Sequence, residues 1–329
     1  MRDRKVDILK TVGLLLIIMA HIPSVPNSIM YLRSFDVPMM VFLSGMSFQF
    51  SYPRYQDSNG NFNYRDYAIN RFKRLVVPTW IYMTFLFILM FIASLVLKIE
   101  FPYSLKTIIS SYSLFHGISY IWIMRVYFIS SLLYPIVLIV DLKTKKKSVY
   151  ILTLIVSFLF IIQYYLVNIF NNPSNIFVRI FFEEIFLQTT GYFIVSLISF
   201  IWVQSSKKNK GIFIGALLSL YLIFGYMYEF QMLSMDKYPP GPYYLSYGLL
   251  VTMLLLYLPK IEMRSLEILF DYIARNSLEI YFWHTFFVIA ISFLKLNYNW
   301  IFLYIVVIIL SLITTYIQKK FFPKLFILK

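Results

Sequence analysis

The chain has 329 residues, of which 60% are apolar, and it carries a formal net charge of +15. This apolar content exceeds that of soluble domains and excludes an ordinary soluble enzyme. No cysteine is present, which excludes a disulfide framework, a cysteine-bound metal and a thiol nucleophile. The basic residues form short clusters between apolar runs, a pattern typical of membrane topology and not of a nucleic-acid-binding surface.

Apolar runs long enough to cross a bilayer recur along the whole chain. About 20 apolar residues span the hydrocarbon core of a membrane. On this measure the sequence predicts about ten transmembrane helices, at roughly 7–23, 34–50, 75–97, 119–140, 149–168, 178–203, 211–229, 244–258, 276–294 and 299–317. We therefore predict an all-α, polytopic membrane protein whose residues 1–329 form one membrane domain, because the loops are too short for a soluble domain.

The basic residues predict how these spans are oriented. With the N-terminus inside, 22 Lys and Arg residues fall at the inner ends and loops and 6 at the outer ones. Because basic residues favour the cytoplasmic side, this asymmetry predicts that both termini are cytoplasmic. The first span contains Asp7 and Lys10 and precedes no small-residue cleavage site, so we interpret it as a retained helix and not as a signal peptide.

The first span holds two ionisable residues on one helix face. Lys10 and His21 are eleven residues apart, which is close to three helical turns and about 16 Å. Ionisable groups inside a membrane are costly and commonly mark a functional site. His21, near the outer end, is either a general base or a histidine that reaches the interface. Asp36, at the start of the second span, is the nearest carboxylate in sequence that could stabilise protonated His21, whereas Lys10 either pairs with Asp7 or contributes to a site.

A cluster of cations precedes the third span on the inner side. It consists of Arg71, Lys73 and Arg74, in the string RFKRLVVP. Topology alone can explain three cations at this place, because inner loops are generally basic. The same cations could also bind the phosphates of a cytosolic cofactor.

The fourth and sixth spans carry charges at similar predicted depth. Arg125 lies in the fourth span, and Glu183 and Glu184 lie in the outer third of the sixth. One interpretation is a buried ion pair that stabilises the fold. The other is a polar cavity that opens to the outer face and binds a substrate.

The ninth span brings together Ser277, Tyr281 and His284, whose spacing of four and three residues places them on one helix face. Counted from the start of this span, His284 is expected near mid-membrane. It is either a core histidine bonded to a neighbouring helix or a second candidate for the catalytic base.

Several of these strings resemble the acyltransferase 3 family, the integral-membrane O-acyltransferases of bacterial surface glycans. The family's first span has a basic residue, ten further residues and then a histidine, and residues 7–21 resemble it with the string DILKTVGLLLIIMAH. The basic residue is Lys10 here instead of the commoner arginine, as in the fucose 4-O-acetylase-like branch. FDVPMMVFLSGMSF, RFKRLVVPTW, YIWIMRVYF, LQTTGYFIV and NSLEIYFWH are similar to later signatures. The chain departs from the family's pattern at two places. It has Asp36-Val37 before Pro38, where many relatives have His-Met, and it has Ile123-Met124 where the family's Trp-Phe-Leu element has Phe-Leu after the tryptophan.

The resemblance implies a fold of about ten helices in the bacterial cytoplasmic membrane. It also implies transfer of an acetyl group from cytosolic acetyl-CoA to a sugar hydroxyl of a cell-surface or lipid-linked polysaccharide. On this interpretation the catalytic residues are His21, Asp36 and His284. Acetyl-CoA is bound by Lys10 together with the inner cations Arg71, Lys73 and Arg74. The glycan acceptor is contacted by Arg125, Glu183, Glu184 and Tyr281. Either the sugar hydroxyl attacks the thioester directly, or His21 carries the acyl group in between.

Two other functions are compatible with many spans and buried charges. A transporter or flippase of lipid-linked glycans would often show an internal repeat, and we find none of fixed period. A glycan polymerase would be expected to carry a large outer loop, and the outer loops here are short. The sequence predicts no metal cofactor and no nucleic-acid partner, and the oligomeric state stays open.

Overall fold

The computed structural model describes residues 3–114, 117–118, 120–138, 148–170, 175, 178–259, 266–323 and 325. Across these residues the chain is helical and has no strand. Two isolated bridges pair Gln56 with Phe62 and Lys237 with Pro240. The predicted all-α class is confirmed.

The helices are α1 (Arg4–Ala20), α2 (Asn27–Leu32), α3 (Asp36–Ser51), α4 (Tyr64–Arg71), α5 (Val77–Leu97), α6 (Leu105–Ser113), α7 (Trp122–Leu133), α8 (Ser148–Ile169), α9 (Gln188–Gln204), α10 (Lys207–Met227), α11 (Pro242–Tyr257), α12 (Glu267–Arg275), α13 (Ser277–Phe293) and α14 (Trp300–Phe321). The π-helical segments Phe72–Val76 and Arg179–Leu187 lead into α5 and α9, respectively. Short 3₁₀ turns occupy Arg33–Phe35, Tyr52–Tyr55 and Leu233–Asp236.

Within the described residues, each of the ten predicted spans overlaps one of these helices. Five helical runs are long and apolar enough to cross a membrane, namely Tyr64–Leu97, Val149–Ile169, Arg179–Gln204, Lys207–Met227 and Trp300–Phe321. Helices α1 and α3 have only 17 and 16 residues. A multi-pass membrane protein is supported, whereas the count of ten spans and the cytoplasmic termini stay predictions.

Local chemistry fixes where α1 begins and ends. The Asp3 side chain accepts a hydrogen bond of 2.9 Å from the backbone N–H of Lys5, which caps the first turn. The helix ends at Ala20, and His21 occupies the C-cap position. Pro23 follows two residues later and cannot continue a helix, because it lacks the backbone N–H. His21 is thereby held at the C-terminal tip of α1 and not within its regular turns.

Helix α3 packs closely against α9, and α1 packs against α3 and α13. The close approach of α3 and α9 depends on Gly45, since a Cβ atom there would collide with Ser199 and the backbone of Ser196. A large apolar cluster joins residues of α1, α3, α5, α7, α11 and α13. A second, smaller cluster surrounds the fully buried rings of Phe48, Tyr67 and Tyr134.

Helix α12 lengthens the helical run that contains the ninth predicted span. It lies along the first half of α1, where Arg4 forms an ion pair of 2.8 Å with Glu267 and the Thr11 hydroxyl donates to the Phe270 carbonyl. His21 follows Arg4 by seventeen positions, and His284 follows Glu267 by the same number of positions. The two histidines therefore reach the same level. Their contact places the two histidines side by side, whereas the mid-membrane depth of His284 stays a prediction.

Candidate active site

His21 and His284 form a pair at the C-terminal end of α1. Nδ1 of His21 lies 2.9 Å from Nε2 of His284, which is hydrogen-bond distance. The two rings are nearly parallel, with an interplanar angle of 10° and centroids 5.2 Å apart. His284 is fully buried, whereas His21 is partly accessible. The sequence offered these residues as rival bases, and the structure places them in direct contact.

The hydrogen bonds assign a proton to each ring nitrogen of the neutral pair. Nδ1 of His284 lies 3.3 Å from the carbonyl oxygen of Ile280, which can only accept a hydrogen bond. Nδ1 of His284 therefore carries the proton, and its Nε2 is an acceptor. It follows that Nδ1 of His21 donates to Nε2 of His284. Nε2 of His21 is left with a free lone pair, which is the requirement for a general base.

Aromatic rings surround this pair. The ring of Tyr120 contacts His21 edge-on at 4.7 Å, and the ring of Tyr281 contacts His284 edge-on at 4.9 Å. The Tyr281 hydroxyl donates to the carbonyl oxygen of Tyr120, which ties α13 to the start of α7. The rings of Trp122 and Tyr238 pack edge to face, with their centroids 5.1 Å apart. Trp122 is partly accessible and Tyr238 is exposed. Of the predicted acceptor-binding residues, Tyr281 is thus the one beside the histidines.

Asp36 is not the partner of His21 in the described contacts. Its carboxylate is fully buried, forms an ion pair with Arg33 and accepts a hydrogen bond of 2.7 Å from the backbone N–H of Val37. Asp36 stands in the first turn of α3, where a carboxylate is favoured by the helix dipole. Arg33 itself lies within electrostatic range of His21. Asp36 therefore reaches the site only indirectly, by neutralising Arg33.

The predicted donor-binding residues lie on α1, at the end of α4 and on the π-helical segment before α5. Lys10 donates a hydrogen bond of 3.0 Å to the Ser47 hydroxyl on α3. Arg74 lies within electrostatic range of Arg71 and of Glu279, and Glu279 forms an ion pair with Lys319 on α14. Helix α1, which carries Lys10, packs against α3 and against α13, the helix that carries Glu279.

Arg71 and Lys73 differ in their surroundings. The Arg71 guanidinium lies over the ring of Tyr67, with 4.9 Å between its carbon and the ring centroid. Nε of Arg71 is buried and has no hydrogen-bond partner among the described residues. A buried donor without a partner is unfavourable, and a bound anion would satisfy it. Lys73 is exposed on the π-helical segment.

Arg125 is buried and binds backbone and amide oxygens. Its guanidinium donates to the carbonyls of Leu114 at 3.1 Å and Glu184 at 2.6 Å, and to the Gln188 side chain at 3.0 Å. These bonds join α7 to the π-helical segment that contains Glu183 and Glu184, both of which are partly exposed. Arg125 thus contacts the backbone of Glu184, and the Glu184 carboxylate also lies within electrostatic range of its guanidinium.

Sequence reasoning missed three residues that interact with His21, namely Tyr120, Arg33 and Lys237. Arg33 and Lys237 entered only as charges of the outer loops, yet both are buried and both lie within electrostatic range of His21. No spacing rule links them to His21, because they belong to different connections between helices. Within the described part of the chain, no group of three or more His, Asp or Glu residues could hold a metal ion.

The comparison with protein families agrees with these observations. Residues 3–317 match the family model described as "Acyltransferase domain", which covers nearly the whole chain. No curated protein and no solved structure matches the chain significantly.

Proposed function

The chain belongs to the acyltransferase 3 family, and from this premise we propose that it transfers an acetyl group from cytosolic acetyl-CoA to a sugar hydroxyl of a cell-surface or lipid-linked polysaccharide. The observation that carries the proposal is the bond of 2.9 Å between His21 and His284, which leaves Nε2 of His21 unprotonated. A positioned base of this kind is what a weakly nucleophilic hydroxyl requires, and it typically contributes 10²–10⁴-fold.

The proposed chemistry is direct acyl transfer at Nε2 of His21. The sugar oxygen attacks the thioester carbonyl carbon and forms the new C–O bond, while its proton passes to Nε2. Collapse of the tetrahedral intermediate breaks the C–S bond, and the leaving CoA thiolate takes a proton from the imidazolium. The chain returns to its starting state, and no cysteine is needed.

The acceptor is proposed to bind against the aromatic rings near the histidines. Tyr120, Trp122 and Tyr238 combine flat apolar faces with polar edges. Such rings can pack against the apolar face of a sugar while its hydroxyls stay free to react. Tyr238 is 52% exposed, so this surface is accessible to a large glycan.

The donor is proposed to enter from the inner side. Acetyl-CoA carries phosphate charges that cannot enter lipid without a large desolvation penalty. Lys10, Arg71 and Arg74 provide cations at the inner end, and the unsatisfied Nε of Arg71 suits a phosphate oxygen. The long pantetheine arm of the donor would then direct the thioester toward His21, so that only the acyl group reaches the outer side.

Reconstituted full-length protein tests this proposal. Acetyl-CoA is sealed inside proteoliposomes, and a panel of methyl glycosides is added outside as probe acceptors. Formation of O-acetyl esters, detected by mass spectrometry and absent with His21→Ala, is the expected result. CoA release without any ester would contradict the proposal. Movement of a fluorescent lipid-linked oligosaccharide across the same vesicles, without acetylation, would instead support a flippase.

A further inference from the structure

Lys237 is a buried cation in the connection between α10 and α11. It follows the 3₁₀ turn Leu233–Asp236 and pairs through an isolated bridge with Pro240. Only 7% of its surface is accessible. Lysine is almost never buried to this degree unless it is paired with an anion or serves a function.

No anion neutralises Lys237 in the part of the chain that the structure describes. The adjacent carboxylate of Asp236 is used elsewhere, because its Oδ2 accepts a hydrogen bond of 3.0 Å from the backbone N–H of Tyr244. The described contact of the Lys237 ammonium is the ring of Tyr238, whose centroid is 5.2 Å away. A cation–π contact offsets only part of the desolvation of an ammonium group.

The surroundings of Lys237 connect it to the histidine pair. The ring of Tyr238 packs against Trp122, and Tyr120, two residues before Trp122, packs against His21. Lys237 and Arg33 both lie within electrostatic range of His21. Arg33 is neutralised by its ion pair with Asp36. Among the described residues, Lys237 is therefore a buried cation that forms no ion pair and lies within electrostatic range of His21.

We propose that Lys237 stabilises the oxyanion that forms when the sugar oxygen attacks the acyl carbonyl next to His21. This inference rests on the proposed acyl transfer. In that step the carbonyl π electrons move onto oxygen and create a negative charge, which returns when the C–S bond breaks. A preorganised cation in a site with little water stabilises such a charge, and the negative charge is absent in the ground state.

Three variants test this role in the proteoliposome assay with acetyl-CoA and the best methyl glycoside. Lys237→Met keeps the length of the side chain without its charge, Lys237→Arg keeps the charge, and Lys295→Met removes an exposed outer lysine as the matched control. We expect Lys237→Met to lower kcat by roughly 10²–10³-fold, the usual loss for an oxyanion donor, with acceptor KM changed by less than about threefold. Lys237→Arg should recover at least about tenfold of this loss, and Lys295→Met should match the wild type.

Thermal stability separates this role from a structural one. Removing a buried, unpaired ammonium should leave the Tm of Lys237→Met equal to or above that of the wild type. A lower Tm, an unchanged kcat, or an arginine variant no better than methionine would overturn the inference. A loss confined to acceptor KM would instead assign Lys237 to binding of an acidic acceptor group, which also overturns it. Absence of ester formation by the wild type would reject the proposed acyl transfer itself.

Discussion

The contact between His21 and His284 makes a quantitative prediction about how the two residues share one task. If His284 orients His21 and stabilises its protonated form, it acts only through His21. Replacing His284 with Phe keeps an aromatic ring but removes the acceptor for Nδ1–H of His21. Replacing it with Gln restores an amide oxygen that can accept this hydrogen bond.

The magnitude follows from the type of hydrogen bond that is lost. As His21 becomes an imidazolium, its bond to Nε2 of His284 becomes charge-assisted, and such bonds contribute about 1.5–3 kcal/mol. At about 1.4 kcal/mol per factor of ten, His284→Phe should lower kcat by roughly 10–150-fold. His21→Ala removes the base itself and should cost roughly 10²–10⁴-fold. His284→Gln should lie between His284→Phe and the wild type.

The double variant His21→Ala/His284→Phe provides the decisive measurement. Because His284 has nothing to orient once His21 is gone, the double variant should be no slower than His21→Ala alone. Rates of ester formation in proteoliposomes, at matched protein levels, give the four values of the cycle. Losses that multiply would show that the residues act independently and would refute the proton assignment. Near-wild-type activity of His21→Ala would place the base elsewhere.

The remaining predictions concern the donor site, the topology and the outer connection. Arg74→Ala should weaken acetyl-CoA binding about tenfold or more, because a charge-assisted contact contributes about 1.5–3 kcal/mol. The control Arg65→Ala, at an exposed arginine, should leave the affinity unchanged. If calorimetry gives Arg74→Ala the same affinity as the wild type, Arg74 is not part of the site. Single cysteines at Lys98 should react with an impermeant thiol reagent in intact cells and those at Lys208 should not, and the reverse result would reject cytoplasmic termini. Burial raises the pKa of Asp236 from 3.8 to about 6. The native state therefore binds this proton more tightly than the unfolded chain does. The free energy of unfolding should fall by about 2–3 kcal/mol as the pH rises from about 4 to about 6. Asp236→Asn should abolish that part of the pH dependence of Tm, and an unchanged profile would show that Asp236 does not titrate in this range.

The sequence alone determined the helical, membrane-associated class of the protein and the location of its longer apolar helices. Apolar length and charge asymmetry are local properties, and each acts on one segment of chain in contact with a bilayer. For the same reason the eleven-residue spacing of Lys10 and His21 could be interpreted without knowing the fold. The resemblance of the first span to the acyltransferase 3 family was also carried by one continuous segment.

The tertiary structure decided which side chains meet. His21 and His284 are 263 residues apart, and their contact depends on how α12 and α13 pack along α1. Asp36 pairs with Arg33 because a 3₁₀ turn places both at the start of α3. Lys237 is buried in a loop whose Asp236 accepts a hydrogen bond from the backbone N–H of Tyr244 on α11. Hydropathy cannot predict such contacts. It indicates which segments cross the membrane, but it does not indicate which face of a helix packs against which neighbouring helix.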